Sequence, residues 1–203
     1  MQSTKHIPPA RGRARRLWTA VLLVAALLGS GAVGTGVANA IANGEPVPEG
    51  EYRFSVKLTM TGIPTADGGR RDSACSGALI ARDWVITAGH CFRDEHGNRV
   101  DRPVADLTTA TVGRADLTGD NGQVAEVVAV RQSATNDIAL AQLDERIRGI
   151  RPLRLGSAPP EIGDVLRLTG DGADNSTNPE PSDILQTGQV TVEAVATSTI
   201  GVT

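Results

Sequence analysis

Residues Ala74–Cys91 read ACSGALIARDWVITAGHC. Two short apolar runs, Ala74–Ile80 and Trp84–Thr87, flank Arg82-Asp83, a pair suited to a tight turn. Runs of this length, broken by a polar turn, predict two antiparallel strands. The second strand delivers His90 directly before Cys91, and Cys75 lies 16 positions upstream. Two readings compete: a stapled hairpin with an incidental histidine, or a histidine held at a rigid strand end as general base. A metal site from Cys75, His90, Cys91 and His96 is a third reading, but their spacing fits no zinc pattern.

Outward from this hairpin the period stays close to two. In Glu51–Met60, Tyr52, Phe54, Val56, Leu58 and Met60 take one face; Glu51, Arg53, Ser55, Lys57 and Thr59 take the other. That alternation predicts a half-buried antiparallel strand. A polar loop is expected over Thr61–Asp72, and further strands near Leu107–Val112, Val124–Arg131 and Ile138–Leu143. With no strong amphipathic helix pattern between them, six short strands predict an all-β barrel or sandwich. Beyond the proline-containing connection Arg151–Pro160, only Val165–Thr169 and Gln189–Ala196 read as strands. Two strands make no independent core. Either they dock on the first barrel or something is missing, and a second barrel of two strands leaves unpaired edges and exposed apolar faces.

Composition narrows the function. The 203 residues are 40% hydrophobic and 21% charged, a globular balance. Trp18, Tyr52, Phe54, Trp84 and Phe92 are the only aromatics, too few for a base-stacking platform. The formal charge of −3 likewise excludes a nucleic-acid footprint. All charges in residues 1–40 are positive: Lys5, Arg11, Arg13, Arg15 and Arg16. Without them, 15 basic residues face 23 acidic ones over residues 41–203, a formal −8. The basic start, the apolar run Leu17–Leu28 and the small residues ending Ala38-Asn39-Ala40 predict a secretory signal peptide over residues 1–40. The apolar run is too short for a retained span, so membrane contact is expected only during export. In an oxidising compartment one disulfide is the default reading of the two cysteines, Cys75 and Cys91.

A second stretch, Ala134–Asp144, reads ATNDIALAQLD. Asp137 stands where a polar loop enters an apolar strand. It is either a turn aspartate or a buried carboxylate that orients a histidine tautomer. Taken together, the two stretches resemble the chymotrypsin/trypsin-like serine proteases. Thr87-Ala88-Gly89-His90-Cys91 resembles that family's TAAHC signature, with Gly89 where Ala is usual, and Asn136–Leu140 resembles its NDIAL signature. Ile41-Ala42-Asn43-Gly44 resembles the IVGG-type mature start. Gly170-Asp171-Gly172 resembles a Gly-Trp-Gly turn, with Asp in place of Trp. The arginine-rich leader suggests a bacterial, secreted member.

The resemblance implies a chymotrypsin-like double β-barrel: a complete first barrel over 41–150 and an incomplete second barrel over 151–203. It implies His90 as general base, Asp137 as its orienting carboxylate, a Cys75–Cys91 disulfide, Ile41 as mature N-terminus, and protein or peptide substrates, with no cofactor and no metal. The nucleophile should be a Ser in a GDSGG motif, and no such motif occurs in residues 1–203. Acyl transfer needs that Ser and its oxyanion hole. The chain as given is therefore expected to be inactive by itself. The alternative is a non-catalytic secreted binding protein, a pseudoprotease.

Overall fold

The computed structural model describes residues 44–172 and 182–203. Six strands close into an antiparallel barrel: β2 (Ser55–Pro64), β3 (Arg70–Ala81), β4 (Trp84–Thr87), β5 (Leu107–Val112), β6 (Gln123–Gln132) and β7 (Ala139–Leu143). Around the barrel the order is β2-β3-β4-β7-β6-β5. Inward positions follow the two-residue period: Val56, Leu58 and Met60 from β2, Ala110 and Val112 from β5, and Ala139, Ala141 and Leu143 from β7 are all buried. Six strands enclose a narrow interior, and alanines on β5, β6 and β7 alternate with larger side chains to fill it. Phe92 and Ile150, outside the strands, also belong to this core. Arg82-Asp83 forms the expected turn, with Ala81 paired to Trp84 across it. Gly122, just before β6, has φ +75°, and a Cβ there would overlap the Val112 carbonyl. Both facts require glycine.

Three boundaries differ from the sequence reading. The first long strand begins at Ser55, not Glu51. Tyr52 has a φ of 42° and its carbonyl accepts the Ser55 N–H at 2.8 Å, so the chain turns there. Much of the loop expected over Thr61–Asp72 is strand. β2 and β3 run on as a ribbon, with Ile63 opposite Arg71 and Pro64 opposite Arg70. The late strand spans Gln186–Val195 rather than Gln189–Ala196.

The second sheet is partial. β9 (Gln186–Val195) pairs along one edge with β8 (Val165–Gly170). Its other edge pairs with β1 (Glu45–Pro46) and with β10 (Ile200–Val202). Neither β1 nor β10 was foreseen. Among the described residues the sheet stays open, with Ile162 71%, Val165 60% and Leu168 42% exposed. Among the described residues no helix is long and apolar enough to cross a membrane. The run Leu17–Leu28 and Ile41 lie outside the described residues.

A polar seam joins barrel and sheet. The Ser55 and Thr169 hydroxyls lie 2.9 Å apart, and the Asp171 N–H donates to Ser76 Oγ at 3.3 Å. Asp171 itself is buried, and its Oδ1 has no hydrogen-bond partner among the described residues. Burial pushes its carboxyl above the ordinary range, against the weaker pull of the Lys57 charge. The folded chain thus holds this proton more tightly than the unfolded chain. Stability from this group is present at low pH and is lost as pH rises through the raised folded value. Asp171→Asn should therefore stabilise the fold at pH 7 by about 1 kcal/mol, and the gain should fade towards pH 4. Urea midpoints at the two pH values measure it. Equal midpoints at pH 7 would contradict the assignment.

Candidate active site

Strand register brings the two predicted residues together. Thr87, the last residue of β4, pairs with Ala139, the first of β7. The segments just beyond these two ends therefore meet at the same end of the barrel. After Thr87 the chain passes through extended Ala88 into a 3-10 turn, Gly89–Phe92. Phe92 is fully buried and Cys91 nearly so, and together they plug the barrel end. His90, beside them in the same turn, is forced outward. Cys75 lies on β3 two residues past Gly77, which pairs with Thr87, so β3 overshoots β4 and meets the turn. Cys75 and Cys91 form a disulfide, with Cα atoms 6.5 Å apart.

A short loop presents Asp137. Ser133 Oγ accepts the N–H groups of Thr135 and Asn136 at 3.3 and 3.1 Å, and the Ser133 N–H donates to the Ile138 carbonyl at 2.9 Å. Arg99 donates to the Ser133 carbonyl at 2.6 Å. The loop is thereby closed into one shape.

Asp137 makes two bonds to one residue. Its Oδ2 meets His90 Nδ1 at 2.7 Å, and its Oδ1 accepts the His90 backbone N–H at 2.7 Å. The ring bond holds the Asp137 carboxyl below the ordinary carboxylate range; burial acts the other way, and the backbone bond and the charges of His90 and Arg93 add smaller pulls downward. An ionised carboxylate only accepts, so Nδ1 must donate. The neutral ring then carries its proton on Nδ1 and leaves the Nε2 lone pair free to take a proton. One of the two readings of Asp137 made it a buried carboxylate. Instead, the His90 and Asp137 side chains are 66% and 52% exposed, because no described residue packs over them.

Cys75, His90 and Cys91 also place possible metal-ligand atoms within 4.8 Å of one another. Both sulfurs are committed to the disulfide, so no thiolate remains for a metal. Asp94 caps its own loop by accepting the His96 and Asn98 N–H groups at 3.0 and 2.7 Å, while Asp101 accepts the Gln132 N–H at 3.0 Å.

One residue of the site escaped the sequence reading. Gln132 Nε2 donates to the carbonyls of Phe92 and Val100 at 2.9 and 2.8 Å. Nothing local marks it, since its partners lie 40 and 32 positions away.

Comparison with known proteins agrees with this geometry. Human serine protease 56 is 30% identical over 155 residues, covering 69% of this chain and 22% of that protein. Human chymotrypsin-like elastase family member 3B is 29% identical over 154 residues, covering 74% of this chain and 55% of that protein. Snake venom serine proteinase 14 of Crotalus adamanteus is 32% identical over 113 residues, covering 52% of this chain and 41% of that protein. The chain thus spans between about a fifth and about half the length of these relatives. A solved structure titled "Structure of GrC" superposes with a TM-score of 0.58 at 21% identity, covering 76% of this chain and 66% of that one, and supports the fold. The sequence model of the family described as Trypsin matches residues 41–201. That match takes in the barrel, the His90–Asp137 pair and the sheet beyond, and the chain belongs to the trypsin family of serine proteases.

Proposed function

We propose that this chain carries the histidine and aspartate of a secreted serine endopeptidase acting on protein or peptide substrates. The observation that supports it most is the 2.7 Å bond from His90 Nδ1 to Asp137 Oδ2, lying between the TAGHC and NDIAL signatures. In this reading His90 Nε2 removes the proton of a serine hydroxyl as it attacks the peptide carbonyl, then returns it to the leaving amine. Asp137 holds the tautomer and stabilises the imidazolium. The chemistry uses no cofactor or metal. Residues 1–40 serve as signal peptide, Ile41 starts the mature chain, 41–150 hold the first barrel and 151–203 part of the second.

Within residues 1–203 no GDSGG motif occurs. By this reading, the 203-residue chain alone forms no acyl-enzyme. The second reading is a secreted binding protein on a protease scaffold. A fluorophosphonate probe separates the two. Under the first reading, the natural exported product containing this sequence is labelled, and His90→Ala abolishes labelling. Under the second, the exported product is never labelled.

A further inference from the structure

Gln132 ends β6, opposite Ala139 at the start of β7. An amide NH2 offers two donors, and here each serves a different segment. One reaches the Phe92 carbonyl in the turn that carries His90; the other reaches the Val100 carbonyl beyond the following loop. The Phe92 carbonyl closes a turn only four residues long. Carbonyls at such an end lack intrahelical partners, so a donor from outside fixes the turn as well as satisfying it. His90 is mostly exposed, so packing does not hold its ring. Its position depends on the backbone of that turn.

The other end of the same amide explains Gly89. A Cβ on residue 89 would lie 3.1 Å from Gln132 Oε1, 3.1 Å from Asp137 Oδ1 and 3.3 Å from the Ile138 nitrogen. Gly89 is not among the glycines with positive φ. What it supplies is space, not backbone freedom.

We propose that Gln132 is a positioning residue for the His90–Asp137 pair, and that Gly89 is its counterpart: the absent methyl makes room for the amide that braces the histidine's turn. The catalytic meaning of this brace rests on the reading of His90 as general base; its geometry does not.

The test is the His90 tautomer in the full chain, followed by 15N-histidine NMR, with the signal assigned by its loss in His90→Ala and unfolding curves recorded in parallel. Gln132→Met keeps length and bulk but removes both donors. It should lower the ratio of the Nδ1–H to the Nε2–H tautomer at least tenfold in a chain that remains folded. Gly89→Ala should lower it in the same direction. In a Gln132→Ala background, where the amide is gone, the effect of Gly89→Ala should shrink at least threefold. A folded Gln132→Met chain with an unchanged ratio overturns the positioning role. Additive effects at positions 89 and 132 overturn the coupling. Asp137→Asn is the separate control: if it leaves the tautomer unchanged, the His90–Asp137 reading itself fails, whatever Gln132 does.

Discussion

Replacing Cys75 and Cys91 together by alanine should lower the free energy of unfolding by about 3 kcal/mol, the loop-entropy value for a closure of roughly 15 residues. The two cysteines are 16 positions apart and span the β3–β4 hairpin and the turn beyond it. Native stabilities are only ~5–15 kcal/mol, so this one link is a large fraction of the total. Its position adds to the effect. The Gly89–Phe92 turn belongs to no strand and is fastened at four points: Phe92 in the core, the Gln132 amide, the Asp137 carboxylate on the His90 N–H, and the disulfide at Cys91. Phe92 keeps its burial when the sulfurs are gone, so the barrel should still close. The turn then hangs from the Phe92 side chain and two hydrogen bonds, to the Gln132 amide and the Asp137 carboxylate, and His90 should sample more positions. With a urea slope of ~1–3 kcal/mol/M, the midpoint should fall by roughly 1–3 M. Wild type unfolded in dithiothreitol should superimpose on the double variant. A loss below about 1 kcal/mol would mean that the hairpin is held by strand pairing alone and that the staple contributes little.

The barrel was legible where burial imposes a two-residue period. Val56, Leu58 and Met60 face inward as their alternation demands, and the strands from β4 to β7 fall within one or two residues of their predicted ends. The same period misled at Tyr52. This side chain leaves the barrel to pack against Val47, Ala115 and Leu185, with the Arg167 guanidinium 5.9 Å from its ring. Alternation cannot distinguish a strand from a turn whose side chains are also partly buried. The ribbon at Ile63–Pro64 and Arg70–Arg71 was missed because Gly62, at a φ of 75°, and the register shift between Met60 and Ile63 break the two-residue alternation, although Ile63 itself is buried in the core. β1 has two residues, one of them proline, and β10 has three, one of them glycine. Such pieces are strands only because β9 offers them an edge. The pairing of His90 and Asp137 was legible because each lies in a recognisable signature. Their exposure, and the role of Gln132, depend on what packs from distant parts of the chain.

Under the proposed reading of this chain as part of an exported serine protease, Asp137→Asn should cost about 10⁴-fold in kcat, following the loss seen when a triad carboxylate becomes an amide. The geometry dictates how. Asp137 Oδ1 accepts the His90 N–H while Oδ2 accepts Nδ1–H. An asparagine has one oxygen for these two donors. The backbone N–H is fixed by the 3-10 turn, so the amide oxygen is held there and Nδ2 is turned towards the ring. Two donors cannot face each other, so the ring must move its proton to Nε2 and accept at Nδ1. Nε2 is then protonated at the moment it should receive the serine proton, and general-base catalysis stops. The fold should scarcely notice, because both side chains are largely exposed and water can solvate either form. Acid behaves differently from mutation. The ring bond holds the Asp137 carboxyl below the ordinary carboxylate range, so its contribution is fully present above the unfolded value and is lost only as pH falls through the depressed folded value. At neutral pH the wild-type carboxylate is charged, so asparagine removes both that charge and the Nδ1–H tautomer, and the 15N spectra report the tautomer. Fluorophosphonate labelling rates of the two exported proteins, read beside their histidine 15N spectra, test this. A rate loss below about tenfold, or a folded variant that keeps Nδ1–H, would show that Asp137 does not set the tautomer of His90.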